Sequence, residues 1–130
     1  MTITTASRPC AARQGTLAPP VERDWDHLVQ ADRIHHSLYT DPTLFPEEMR
    51  KLFGGLWTYL CHESELAHAN AFKRVRLGLR PVVMTRSADG TIHGLFNRCA
   101  HRAATICQED SGHAARFTCG YHGWTYANDG

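Results

Sequence analysis

The sequence lacks an excess of charge of either sign and lacks any long hydrophobic run. Its 130 residues carry 14 Lys and Arg against 13 Asp and Glu, so the charged face that nucleic-acid binders need is missing. The longest apolar stretches, such as "LGLRPVVM", are interrupted by Arg80 and are too short to span a bilayer. The N-terminus also lacks the continuous apolar core of a secretory signal. We therefore expect no nucleic-acid partner, no membrane association and a cytoplasmic location.

The number of cysteines is odd. Five cysteines in a chain without an export signal do not predict a disulfide framework, so the thiols are expected to be free or bound to metal. With 42% hydrophobic residues, the chain has material for one modest core.

The sequence divides into three regions. Residues 1–22 are rich in Thr, Ala, Ser and Pro and are predicted to form a flexible arm. Residues 23–55 are predicted to be helical: Asp41 is placed at the N-cap and Pro42 at the first helical position. Gly54-Gly55 is predicted to end this helix. Its apolar face has helical spacing and consists of Phe45, Met49, Leu52 and Phe53.

Residues 56–130 change to short β-type runs separated by turn residues. The runs are "FKRVRLG", "PVVMTRS", "TIHGLFN", "ARFTCG" and "GWTYAN". Asp89-Gly90 between two of them predicts a tight hairpin. The pattern favours a mainly β fold, an antiparallel sandwich or small barrel, behind the helical region.

Two mixed pairs of Cys and His stand out in "NRCAHRAATIC" and "FTCGYHGW". Cys99 and His101 form the first pair, and Cys119 and His122 the second. The seventeen residues between the pairs allow a strand, a turn around "EDSGH" and a returning strand, so both pairs are predicted on neighbouring loops. A tetrahedral zinc site and a Rieske [2Fe–2S] cluster both use two Cys and two His. Zinc fingers pair like with like, whereas each loop here offers one of each, which favours the binuclear cluster.

The residues "CAHR" and "CGYHGW" resemble the signature of Rieske domains. From about Arg33 onward, "RIHHSLYTDPTLFPEEMRKLFGGLWTYLCHESEL" and "RLGLRPVVMTRSADGTIHGLFNRCAHR" resemble the large (α) subunit of Rieske non-haem iron aromatic-ring-hydroxylating oxygenases. Within that family the likeness is greatest to members acting on anthranilate or salicylate. The resemblance implies a Rieske-type antiparallel β sandwich or barrel over residues 56–130, with an N-terminal helical preface over residues 23–55.

The resemblance also implies site residues. Cys99 and Cys119 would bind one iron, and His101 and His122 the other. Residues that lie close to the cluster without binding it would be Arg102, Tyr121 and Trp124.

Two loop residues depart from the family pattern. Ala103 stands where the family usually has Gly, and Gly120 where it usually has Pro. An alanine there would crowd a loop that needs positive φ, and a glycine would loosen one that proline stiffens. "HANAFKRVRLG" also lacks the family's usual turn before the strand.

The implied function is electron transfer. In the family, electrons pass from NAD(P)H through a flavin and iron–sulfur reductase or a ferredoxin to the Rieske cluster. They then reach a mononuclear Fe(II) held by two His and one carboxylate. The remaining histidines do not form that spacing, so no catalytic residue is assigned, and we expect the sequence to stop before the α+β catalytic domain. Implied partners are a small β subunit and other α subunits, in a hetero-hexamer or homotrimer. A stand-alone Rieske ferredoxin and a structural Cys₂His₂ zinc module remain alternatives.

Overall fold

The computed structural model describes residues 24–130, so the predicted arm at residues 1–22 and Cys10 lie outside the described residues. The first part of the described chain is helical in short pieces. A 3₁₀ turn spans Asp26–Leu28, α1 spans Ser37–Thr40, α2 spans Leu44–Lys51, and a second 3₁₀ turn spans Glu63–Leu66. Within residues 24–130 there is no apolar helix long enough to cross a bilayer.

Helix α2 begins two residues later than the sequence predicts. Its N-cap is Thr43, whereas Asp41, the predicted cap, ends α1. The Asp41 carboxylate accepts hydrogen bonds from the Thr43 backbone N–H at 2.8 Å and from the Thr43 hydroxyl at 2.7 Å. These local bonds hold Pro42 and Thr43 in a turn, because short polar side chains compete with helical pairing for nearby backbone groups.

The predicted apolar face of α2 is only partly covered. Leu44 is the buried residue of the helix, whereas Phe45 and Leu52 are 48% and 45% exposed. Met49 and Phe53 do pack inward, against the turn between the first two strands. A Cβ on Gly78, whose φ is +58°, would stand 3.0 Å from Met49 Sδ and 3.1 Å from Phe53 Cβ. That close approach explains why glycine occupies the turn.

Six antiparallel strands form the rest of the described fold, and all five predicted runs become strands. The main sheet has the order β3-β2-β1-β4, and β5 pairs with β6 in a separate two-stranded sheet. The Asp89-Gly90 hairpin between β2 and β3 is confirmed, with Gly90 at φ +88°. The bounds are β1 Ala71–Leu77, β2 Arg80–Arg86, β3 Ile92–Phe96, β4 Ser111–His113, β5 Arg116–Thr118 and β6 Thr125–Ala127.

The strand–turn–strand expected between His101 and Cys119 is wrong. "SGH" is itself a strand, β4, and it pairs with β1 rather than with β5. Phe72 of β1 pairs with Gly112, and a Cβ on Gly112 would lie 3.0 Å from the Phe72 ring. The glycine therefore lets β4 join the edge of the main sheet under an aromatic ring.

The core covers both faces of the main sheet. Alternate residues of β2 point to opposite faces, as the period of a strand requires. Val82 and Met84 join one buried cluster with Leu66 and Ala71. Val83 joins a second with Phe72 and Cys107.

Asn128 holds the small sheet against the main sheet. Its Nδ2 donates to Asn70 Oδ1 at 3.0 Å, and its backbone carbonyl accepts from the Thr85 hydroxyl at 2.6 Å. Thr85 and Asn128 are both buried. These bonds set the place of β6, which directly follows the second Cys/His pair.

Candidate metal centre

The two Cys/His pairs lie on loops of the same construction. In the first loop, residues 99–104, the Cys99 N–H donates to Ala104 O at 2.8 Å, and the Ala103 N–H donates to Cys99 O at 2.8 Å. In the second loop, residues 119–124, the Cys119 N–H donates to Trp124 O at 2.8 Å, and the Gly123 N–H donates to Cys119 O at 2.9 Å. The same turn is therefore used twice, with each cysteine at its start.

Each loop turns through a residue in the left-handed region at its fifth position. Ala103 has φ +58° and Gly123 has φ +74°. Glycine adopts this conformation readily, whereas an alanine there is strained. The expectation that the first loop needs positive φ is confirmed, and Ala103 bears the strain.

The loops place sulfur inside and imidazole outside. Cys99 and Cys119 are 4% and 2% exposed. His101 and His122 lie at the surface, with ring centroids 4.7 Å apart in an edge-to-face arrangement. The two loops thus bring the two imidazoles into contact and bury both thiols.

Two of the three side chains predicted to lie close to the cluster contact these imidazoles. The Trp124 indole stacks on His101 across the gap between the loops, with centroids 5.2 Å apart and planes 8° apart. Tyr121 contacts His122 of its own loop, with centroids 3.8 Å apart. Besides the other imidazole, each histidine ring therefore has one further aromatic neighbour.

Arg102 is the third of these residues. In the described part of the chain its guanidinium makes no hydrogen bond or ion pair. Its backbone N–H contributes instead, because that group is one of the donors that lower the pKa of the Cys99 thiol.

Tyr126 is a site residue that the sequence analysis missed. Its hydroxyl lies 3.1 Å from Cys99 Sγ and accepts the Ala100 N–H at 3.0 Å. This hydroxyl is the main cause that lowers the pKa of Cys99, and the same bond raises the pKa of Tyr126. Both pKa shifts favour a proton on the phenol oxygen and negative charge on the sulfur. Its only sequence signal is its place on the strand after the second loop.

The other described cysteines belong to the hydrophobic core and not to the two loops. Cys107 is buried beside Phe72 and Val83, and Cys61 packs against the other core cluster. Burial raises the pKa of both thiols, which keeps them protonated and poorly suited to bind metal.

Asn97, also missed, fixes the chain beyond the first loop. Its fully buried side chain accepts from the Cys107 N–H at 2.8 Å and donates to Cys107 O at 2.7 Å. Asn97 follows β3 and precedes the first loop, whereas Cys107 follows that loop. These bonds therefore hold both flanks of the first loop together.

The donor set suits an iron–sulfur cluster of the Rieske type. Two buried thiols, one with its pKa lowered, and two imidazoles are the ligand types such a cluster takes. Among residues 24–130, no three His, Cys, Asp or Glu side chains converge on the position of one ion. A tetrahedral zinc ion needs four donors around one point, whereas each iron of a binuclear cluster takes two protein ligands. Ligation by these four residues stays a prediction.

The chain resembles known proteins over most of its length. The family model described as the Rieske [2Fe-2S] domain matches residues 56–130. The chain is 40% identical over 111 residues to the toluate 1,2-dioxygenase subunit alpha of Pseudomonas putida, covering 81% of this chain and 24% of that protein. It is also 40% identical over 98 residues to the anthranilate 1,2-dioxygenase large subunit of Acinetobacter baylyi, covering 75% and 21%.

Solved structures of similar fold agree. A naphthalene 1,2-dioxygenase with indole bound in its active site superposes with a TM-score of 0.70 at 32% identity, covering 73% of this chain and 21% of that one. The naphthalene 1,2-dioxygenase of Rhodococcus sp. gives 0.66 at 30% identity, covering 73% and 24%. The chain thus spans about a quarter of the length of these relatives.

Proposed function

The chain belongs to the Rieske [2Fe-2S] domain family, and on that premise we propose that it is the electron-transfer module of an aromatic-ring-hydroxylating oxygenase. The match to the N-terminal part of dioxygenase alpha subunits makes electron transfer the function that the family implies. The observation that carries the proposal is the pair of matched loops that gather two thiols and two imidazoles.

We assign Cys99 and Cys119 to one iron, and His101 and His122 to the other. A cluster with two neutral imidazole ligands accepts an electron at a potential in the window of roughly −150 to +300 mV. The buried cysteines hold the sulfur side away from water, which strengthens the electrostatic effect of neighbouring donors. Tyr126 and the backbone N–H groups of the first loop stabilise negative charge at Cys99 Sγ.

The exposed histidines form the face on which an electron is exchanged. His101 and His122 lie at the surface, with Tyr121 and Trp124 beside them at 60% and 49% exposure. A redox partner can therefore approach the imidazole side closely. We propose a flavin and iron–sulfur reductase, or a ferredoxin, as donor, and a mononuclear Fe(II) site outside residues 24–130 as acceptor.

The wider assembly and the substrate belong to the same proposal. Several similar proteins are named alpha or large subunits of dioxygenases, which supports a multi-subunit enzyme with a small β subunit and further α subunits. The names toluate and anthranilate favour an aromatic carboxylate as substrate of the parent enzyme. We propose a helical preface at residues 23–55 before the Rieske domain at residues 56–130, and a cytoplasmic location, where thiols stay reduced.

Reconstitution with iron and sulfide tests the cofactor. The chain should bind two iron and two sulfide, and should give an electron paramagnetic resonance signal only after reduction. Stoichiometric zinc without acid-labile sulfide would replace the proposal with the structural zinc module.

Single substitutions test the ligands. Alanine at any of the four proposed ligand positions should abolish the cluster, because each iron depends on both of its protein ligands. Cys61→Ser is the matched control: it removes a thiol that lies in the core, and it should leave iron and sulfide content unchanged. Retention of the cluster in Cys99→Ala would contradict the assignment.

A further inference from the structure

The two loops are held in different ways. The second loop closes a β-hairpin: Thr118 pairs with Thr125 at its base, and the two hydroxyls lie 2.9 Å apart. The first loop leaves β3 and runs into residues 104–110, where the described chain has no strand. It also contains Ala103 at φ +58°. Asn97 holds the two flanks of this loop together, but the loop is strained and has a strand on one side only, so its outer residues need support from elsewhere.

That support comes from the second hairpin. Trp124, at the end of the second loop, stacks on the His101 ring with planes 8° apart. Tyr126, two residues further on β6, bonds both Cys99 Sγ and the Ala100 N–H. Both side chains extend from the hairpin to the first loop, and each reaches one proposed ligand residue.

We propose that Trp124 is a positioning residue, which orients His101 from across the gap so that the second hairpin serves as the template on which the first loop is ordered. The proposal rests on the proposed function, because it takes His101 to be a ligand. A near-parallel stack restricts rotation of the exposed imidazole, which has no strand of its own to hold it. His122 does not depend on Trp124 in this way, because its ring contacts Tyr121 of its own loop.

Amide hydrogen exchange in the unreconstituted 130-residue chain tests the template. The probes are two equivalent amides, the Ala103 N–H of the first loop and the Gly123 N–H of the second. In Trp124→Ala, the Ala103 amide should exchange about twofold to tenfold faster, the range expected for loss of one aromatic pair, while Gly123 stays unchanged. Trp124→Phe keeps a ring and should restore much of the protection.

Trp57→Ala is the matched control, since Trp57 is 91% exposed. It should change neither amide. Equal acceleration of both amides in Trp124→Ala would mean that Trp124 merely stabilises its own loop, and no acceleration at either would remove the template role. Either result overturns the inference.

Pulsed electron paramagnetic resonance of the reconstituted, reduced chain tests the orientation of His101. With the histidines labelled with ¹⁵N, Trp124→Ala should shift the coupling of one ligand nitrogen and leave the other unchanged, with Trp57→Ala matching the wild type. Unshifted couplings in Trp124→Ala would refute the inference and leave the ligand set intact, whereas a cluster retained in His101→Ala would refute the proposed function itself.

Discussion

Replacing Ala103 with glycine should stabilise the protein, although it removes a methyl group. Ala103 lies at φ +58°, the conformation that costs a residue with a Cβ roughly 1–2 kcal/mol. Glycine avoids that cost but loses about 0.4–1 kcal/mol through its freer unfolded chain. The difference leaves Ala103→Gly more stable by about 0.5–1 kcal/mol.

The second loop provides the reciprocal substitution as a control. Gly123 occupies the equivalent position at φ +74°, and a Cβ built there would meet no heavy atom within 4 Å. Gly123→Ala therefore tests backbone strain without a steric clash. It should destabilise the protein by about the amount that Ala103→Gly stabilises it, on the order of 0.5–1 kcal/mol.

Urea unfolding of the chain without metal, followed by circular dichroism, measures both variants. The midpoints should move in opposite directions with unchanged slopes, because neither substitution alters the surface exposed on unfolding. The double variant should return close to the wild type if the loops contribute independently. A lower midpoint for Ala103→Gly, or a shift of both variants in the same direction, would refute the strain argument.

Three further changes test single contacts. Tyr126→Phe should lower the reduction potential of the reconstituted cluster, because it removes the O–H donor that stabilises added negative charge at Cys99 Sγ; an unchanged potential in voltammetry would contradict this. Gly120→Ala should increase the free energy of unfolding by about 0.4–1 kcal/mol and so raise the urea midpoint, because Gly120 has no left-handed φ and an added Cβ would meet no atom within 4 Å. A lower midpoint would show that the loop needs glycine there. Hydrogen bonds from Ser87 and Thr91 lower the pKa of Asp89 to about 2, so its contribution is present above the ordinary carboxyl pKa near 3.8 and is lost as pH falls towards 2. The thermal stability of the wild type should therefore exceed that of Asp89→Asn at pH 6, and the gap should close between pH 4 and pH 2; a constant gap would contradict the assignment.

Local chemistry accounts for what could be predicted from the sequence. The β-type runs became strands and Asp89-Gly90 became a hairpin, because strand patterning and turn preference depend on neighbouring residues. The family motif identified both Cys/His pairs, and matched turns bring them together. The need for positive φ at Ala103 followed from the same motif.

Longer-range contacts decided the remainder. Asp41 is an acceptable helix cap by residue type, but in the structure its carboxylate bonds Thr43 instead. Leu44 is buried and Phe45 is exposed, because packing against the rest of the fold decides which face of α2 is covered. Strand β4 pairs with β1 since Phe72 lies over Gly112, a contact between residues forty apart.

The contacts that join the two loops also depended on tertiary structure. The sequence by itself determined which residues could serve as ligands, because their types and spacing lie within each loop. Only the tertiary structure decided what surrounds them. Tyr126 reaches Cys99, and Trp124 reaches His101, because the bonds of Asn128 hold β6 against the main sheet. Such contacts depend on the relative placement of two sheets, and the pattern of residues along either one does not contain that information.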